Sequence, residues 1–460
     1  MNVLDTIAAI STPYGKGGVA LIRISGAEAV SVAQNIFLPK SGKKLEDIPA
    51  NRATFGSIFG AGGKHIDDGV AVIFRAPRSF TGEDTVEISC HGGILITQRV
   101  LESALCAGAR MALPGEFTKR AFINGKMTLT EAEALGDLLE ADGDDQIAIA
   151  RSGMRGDLSD ESRAIYDSLC NVLAAIFAHI DYPDEDLADI SRDQMLEVCD
   201  EALSKLKKLA ATYSTGHAVV EGVATAIVGR TNAGKSTLYN RIVGRDAAIV
   251  TDIEGTTRDV LTEKAKLGKV TLRLSDTAGL RASSDTVEQI GIDRARREAE
   301  GAELILAVFD GSRKAQNDDR ELIDYINSLP GAKIAIINKT DLGCDESVMS
   351  LTDSFEHRVM ISADNGQGFD ALCDTVESIY IDKQLGIGDQ AIISNARQNA
   401  AVTTALSSLS QAIEAIKFEL PLEVCCVEVE NTLASLGELD GRTVSEDIVA
   451  RIFANFCVGK

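Results

Sequence analysis

The stretch Gly229–Ser236 reads GRTNAGKS, a G-x-x-x-x-G-K-S pattern. The β-branched run VATAIVG (Val223–Gly229) leads into it, and the helical run STLYNRIVG (Ser236–Gly244) follows. Between a strand and a helix, this motif means a phosphate cradle. Its glycines let backbone N–H groups turn toward anionic oxygens. Lys235 is placed to reach the β- and γ-phosphates and Ser236 to bind Mg²⁺. Asn232, Ala233, Gly234 and Thr237 complete the loop and the helix start. The alternative is a glycine-rich turn without a ligand, and the flanking elements speak against it.

Outward from the loop, short apolar runs alternate with helical ones. KVTLRLSDTAG (269–279), ELILAVFDG (303–311), AKIAIINKTD (332–341) and HRVMISA (357–363) predict buried parallel strands, each leading to a loop. Chemistry sits at their ends. In DTAG, Asp276 can act on Mg²⁺ through water, and Gly279, after Thr277 and Ala278, can offer its amide to the γ-phosphate. In NKTD, Asn338 and Lys339 precede Asp341, whose carboxylate can accept from guanine N1–H and the exocyclic amine. Adenine has no such pair, so Asp341 selects GTP by being left unpaired otherwise. Ser362 and Ala363 can supply a backbone amide to the guanine oxygen, although Asp364 stands where many such GTPases carry lysine. GTTRD (Gly255–Asp259) is placed as a first switch, with Thr257 as the candidate for Mg²⁺ and γ-phosphate sensing. Leu280 occupies the position where Ras-like proteins use glutamine to orient water, and it cannot do so. Glu288 is the nearest acid; on position alone it reads as a solvated glutamate at a helix start.

The rest of the chain has other textures. At 460 residues it is long enough for two to four domains. Residues 1–126 mix β-like runs (GGVALIRIS, GVAVIFRA, DTVEISCHGG) with glycine turns, an α+β pattern. Residues 127–217 carry apolar residues at helical spacing, with Ser191 a candidate cap for SRDQMLEVCDEALSKL. Helical texture returns after about residue 382. An α/β domain inserted into a helical one is the simplest organisation. The net charge of −23 argues against blanket binding of long duplex nucleic acid. Nine scattered cysteines without Cys-x-x-Cys spacing speak against zinc and for reduced thiols in a cytoplasm. The opening MNVLDTIAAIS has no basic segment and does not read as a secretory leader. No charge-free apolar run reaches the ~18 residues of a membrane span. The chain closes on FCVGK (Phe456–Lys460), where fraying is the ordinary expectation.

With these motifs in view, the whole chain resembles the tRNA-modification GTPase family often called MnmE or TrmE. DTIAAISTPYGKGGVALIRISG, SFTGEDTVEISCHGG, PGEFTKRAFINGKMTLTEAEAL and the closing RIFANFCVGK carry the likeness, with Val458 where the family ending has isoleucine. The resemblance implies a multidomain α/β and α+β protein. A tetrahydrofolate-binding, dimerising domain (1–126) would precede a helical domain (127–217 and 383–460), with a Ras-like P-loop GTPase domain (218–382) inserted. It implies a homodimer that works with an FAD-binding partner, MnmG (GidA), and uses FAD only through that partner. Together they add an aminomethyl or carboxymethylaminomethyl group to carbon 5 of the wobble uridine of certain tRNAs. The one-carbon donor is a tetrahydrofolate derivative, in the 5,10-methylene or 5-formyl form. Carried over by motif, Arg23, Glu87, Lys126 and Lys460 correspond to folate-site residues, and Asn232, Thr251, Ile253 and Thr256 to K⁺ ligands. Asp252, Glu254 and Gly255 lie in that same loop. The ion would play the part of an arginine finger beside the β–γ bridge. Glu288 matches the family's water-orienting glutamate, and Arg258 an arginine needed for turnover. Cys457 would sit beside the transferred carbon, as a thiolate nucleophile or as packing. Two other readings are a ribosome-assembly GTPase of the Era/EngA type and a membrane-linked GTPase. The first lacks these flanks, and the second needs a span or basic amphipathic helix.

Overall fold

Two β-sheets organise the protein, and most of their strands grow from the apolar runs above. The computed structural model describes residues 5–181, 191–245, 262–275 and 299–459. The chain divides into two compact units. Met1–Glu140, Gly153–Val198 and Gln411–Lys460 form one, and Ala141–Ser152 with Cys199–Ser410 the other.

The first unit holds β1 (Ile7–Ile10), β2 (Val19–Ser25), β3 (Phe37–Pro39), β4 (Thr54–Phe59), β5 (His65–Phe74), β6 (Thr85–His91) and β7 (Arg110–Met111). They make one sheet in the order β3-β4-β5-β6-β2-β1-β7. Neighbours are antiparallel except β1 and β7. Side chains alternate across a strand. In β2, Ala20, Ile22 and Ile24 therefore enter the core under α1 (Ala29–Ile36) and α2 (Ile94–Cys106). Each fully buried isoleucine there contributes roughly 1.5–3 kcal/mol. The same alternation sends Arg23 to the opposite face, in register with Glu87 of β6.

Helices α3 (Glu116–Ile123) and α4 (Leu129–Glu140) follow. The helical run expected from Thr128 onward breaks at Ala141–Gly143, and α5 (Asp144–Arg155) restarts with two acids in its first turn. Next, α6 (Asp157–Asp181) lies along the helix Leu422–Asp440. That helix buries Cys425, Val429, Leu433 and Leu436, one apolar stripe at three- and four-residue spacing. Its thiols are packing groups, since burial pushes Cys426 up to about 11. All nine cysteines are free. Ser191 does cap α7 (Arg192–Ala211): Gln194 N donates to its Oγ at 3.2 Å, and Ser191 N donates back to Gln194 Oε1 at 2.9 Å.

The second unit carries α8 (Tyr213–Val219), β8 (Val223–Gly229), α9 (Lys235–Arg245), β9 (Thr262–Leu267), β10 (Val270–Ser275), β11 (Leu304–Asp310), β12 (Ala332–Asn338) and β13 (His357–Met360). The strand order is β13-β12-β11-β8-β10-β9, parallel except for β9 with β10. Every residue of β11 is buried: Leu304, Leu306 and Val308 on one face, Ile305, Ala307 and Phe309 on the other. A parallel sheet covered on both faces requires such a run. From β8 the chain goes first to one side of the sheet and then crosses to β11 on the other. Ligands bind at the carboxyl ends of strands flanking such a reversal.

At the root of this sheet, His217 of α8 lies between two acids. Its Nδ1 is 2.8 Å from Glu221 Oε2 and its Nε2 3.0 Å from Glu303 Oε2. The Glu221 hydrogen bond, aided by Glu303 and opposed by burial, raises the imidazole above its ordinary 6.5. The stabilisation is complete below the unfolded pKa and is lost as pH rises through the higher folded one. Melting temperatures of wild type and His217→Gln should therefore differ most below pH 6.5 and converge as pH rises above it. A gap that stays constant as pH rises would show that the histidine charge contributes nothing.

Candidate functional site

Gly229 closes β8 and Lys235 opens α9, so residues 230–234 form the turn between them. Glycine is required at Gly234: its φ is +99°, and a Cβ there would lie 2.0 Å from Asn338 Nδ2. Asn232 also takes a left-handed φ, +63°, which asparagine tolerates. A helix start preceded by left-handed backbone is the setting in which amides can cradle an anion. Lys235 Nζ donates to the carbonyls of Gly229 (2.7 Å) and Arg230 (2.9 Å). Burial holds this ammonium below its ordinary pKa. A polyphosphate would restore the full charge, so the cradle fits an anionic ligand. Ser236 and Thr237 lie in the first turn of α9, Ser236 half-buried.

One side chain joins this loop to the ends of β12 and β13. Buried Asn338 donates from Nδ2 to Ala233 O (2.9 Å) and accepts at Oδ1 from Ala363 N (2.9 Å). Lys339, at φ +64°, donates from Nζ to Asn232 O (2.7 Å) and to Asp310 Oδ2 (2.8 Å). Burial alone would raise the Asp310 carboxyl, but Lys339 and Ser312 hold it below its ordinary value. Asp341 follows in the short turn Thr340–Leu342 and is exposed. Ser362 and Ala363 are both buried. Sequence reasoning missed Asp310, although an acid at the end of a parallel strand in FDGS was a usable signal.

Thr251, Asp252, Ile253, Glu254, Gly255, Thr256, Thr257 and Arg258 lie outside the described residues, as do Asp276, Thr277, Ala278, Gly279, Glu288 and Lys460.

A second constellation is built in the first unit. Arg23 donates from Nε to Glu87 Oε1 at 2.8 Å, and its Nη2 is also 2.8 Å from that oxygen. The rings of Phe80 and Phe117 lie 5.5 and 5.6 Å from its guanidinium carbon. Those rings are placed by a buried arginine. Arg120 donates to Asp5 O (2.8 Å), Glu83 Oε2 (3.1 Å) and Glu116 Oε1 (3.0 Å), fixing α3 and the loop at Glu83 together. A cation this buried is tolerated only with its donors satisfied. Lys126 donates to Pro77 O at 3.1 Å, on the same loop as Phe80.

Residues 457–459 dock here. Gly115 N donates to Cys457 O (3.3 Å), Pro114 bridges Val458, and Gly459 O accepts from Ser11 Oγ (2.9 Å) and Arg23 Nη1 (3.5 Å). Gly459 has φ +101°, and a Cβ there would lie 2.2 Å from Ile10 O. Cys457 stays exposed. Residues 457–459 are therefore held by a single β-bridge and by hydrogen bonds, and the fraying expected of them is not what forms.

A phosphate loop between a parallel strand and a helix, locked by Asn338 to an Asn-Lys-Thr-Asp loop, defines the class: a P-loop protein of the guanine-nucleotide-binding kind. Two family models match the chain, the GTP-binding protein TrmE N-terminus over residues 6–126 and the MnmE helical domain over 129–457. The tRNA modification GTPase MnmE of Carboxydothermus hydrogenoformans is 37% identical over 460 residues, 99% of both chains. That of Symbiobacterium thermophilum is 39% identical over 462 residues, again 99% of both. The chain belongs to the MnmE family of tRNA-modification GTPases. A solved structure of Aquifex aeolicus Era is also similar, at 27% identity over 40% of this chain and 65% of that one, with a TM-score of only 0.27. Among the described residues no helix is long and apolar enough to cross a membrane.

Proposed function

We propose that this chain hydrolyses GTP as one subunit of a tRNA-modifying complex. It acts with an FAD-binding partner of the MnmG type to add an aminomethyl or carboxymethylaminomethyl group to carbon 5 of the wobble uridine. Residues 1–126 bind the tetrahydrofolate donor and dimerise. Residues 218–382 are the G domain, inserted between helical segments 127–217 and 383–460. Membership of the family supports this reading. The observation that carries it is the docked tail, where Gly459, two residues after Cys457, accepts from Arg23, the partner of Glu87.

The residues divide the work. Lys235 and the amides of Asn232–Thr237 bind the phosphates. Asp341 reads the guanine edge. Ser236 and Thr257 hold Mg²⁺, with Asp276 acting on it through water. Asn232, with Thr251, Ile253 and Thr256, holds K⁺. Bound there, the two cations supply positive charge to the β- and γ-phosphate oxygens as charge develops on them. Glu288 orients the attacking water, with Arg258 assisting turnover. Arg23, Lys126 and Lys460 are cations for the folate carboxylates, and Glu87 pairs with the pterin face.

Nucleoside mass spectrometry of tRNA tests the reading. In a strain lacking this gene, wild type restores the 5-substituted wobble uridine, and Cys457→Ser restores less than about a tenth of it. Equal restoration would make Cys457 a packing residue. If nothing is lost without the gene, the enzyme reading fails.

A further inference from the structure

Asp364 leaves the guanine-reading loop without the lysine that many such GTPases carry at this position. Another part of the protein brings a cation to the same loop. Arg241, in the second turn of α9, donates from Nε to Ala363 O at 2.5 Å and from Nη2 to Asp364 O. The loop is shaped around this guanidinium. Gly366 has φ +87°, and a Cβ there would lie 2.5 Å from Arg241 Nη1.

We propose that Arg241 is a positioning residue for recognition of the guanine oxygen, a role that rests on the nucleotide reading above. A peptide unit is planar and trans, so its C=O and N–H point to opposite sides. Holding the Ala363 carbonyl on Arg241 turns the Asp364 N–H away from the arginine. The preceding amide, Ala363 N–H, is held on Asn338 Oδ1 at 2.9 Å. Asn338 and Arg241 thus fix three consecutive peptide planes, 362–363, 363–364 and 364–365, in the loop that would read the base. Arginine suits the task because its planar fork holds Nε–H and Nη2–H in fixed geometry toward two neighbouring carbonyls, a pre-organisation that a freely rotating ammonium lacks. The helix that carries Arg241 begins with Lys235 and Ser236, so one rigid element aligns the phosphate readers and the base reader.

The test is competition binding of three diphosphates to the full chain and to Arg241→Ala. GDP and inosine diphosphate both carry the oxygen, and both should weaken about tenfold. The 2-aminopurine riboside diphosphate lacks it and should change by less than about twofold. Arg241→Lys, which keeps the charge but not the planar fork, should fall between wild type and alanine for GDP; it carries the same comparison if the alanine variant does not fold. Equal weakening of all three nucleotides would make Arg241 a general support of the fold and overturn the proposal, as would unchanged GDP affinity. Wild-type protein that binds no GDP would overturn the nucleotide reading and this inference with it.

Discussion

Replacing Lys235 by methionine lowers GTP turnover by about 10²- to 10³-fold, with the melting temperature nearly unchanged. The two halves have separate causes. Lys235 opens α9 beside the cradle, and its ammonium is the charge that would meet the β- and γ-phosphates as negative charge shifts there. In the structure it is turned onto Gly229 O and Arg230 O at 2.7 and 2.9 Å. Burial keeps its pKa below the ordinary value, so the protonated lysine costs the fold some stability at neutral pH. Removing it relieves that cost while losing two hydrogen bonds, and the effects oppose one another. Phosphate release and thermal melting on the same preparation check both halves. Turnover within about threefold of wild type would show that another group neutralises the phosphates.

The second large effect falls at the other end of the chain. Gly459→Val abolishes restoration of the modified uridine in the tRNA assay but leaves GTP binding and the melting temperature unaltered. Valine at φ +101° is strained, and its Cβ would meet the backbone oxygen of Ile10. Such strain costs about 1–3 kcal/mol, comparable with what a few hydrogen bonds on a chain end can supply. Two of those bonds, from Ser11 and Arg23, fall on Gly459 itself. The tail then leaves Pro114 and Gly115 without disturbing the core, which lies under α1 and α2. Amide exchange at Gly115, whose N–H is held by Cys457 O, reports the release directly. Full modification by a variant whose Gly115 amide has become unprotected would sever the tail from the chemistry.

Legibility followed the kind of signal. All five apolar runs around the phosphate loop are strands; β11 and β12 are the plainest, because a strand buried on both faces needs an unbroken apolar run. β9 went unseen: TEKAKL carries three charges beside two apolar residues, Ala265 and Leu267, and only its pairing with β10 makes it an edge strand. β1, β3 and β7 are four residues or fewer, too short to show a period. Asp142-Gly143 ended a helix that apolar spacing alone would have continued.

By itself the sequence determined the chemistry available: a phosphate loop, a guanine-selective acid, and a tail ending in cysteine, glycine and lysine. Those follow from residue type at fixed spacing along a few neighbouring positions, where backbone geometry is nearly local. Only the tertiary structure decided which distant groups meet. Ser11 and Gly459 lie 448 positions apart, Arg241 and Ala363 122, and Asn338 and Ala233 105. Nothing in local spacing encodes such pairs. They form because β-sheet register sets strand ends side by side, and glycines at Gly234, Gly366 and Gly459 leave the room that any side chain would fill.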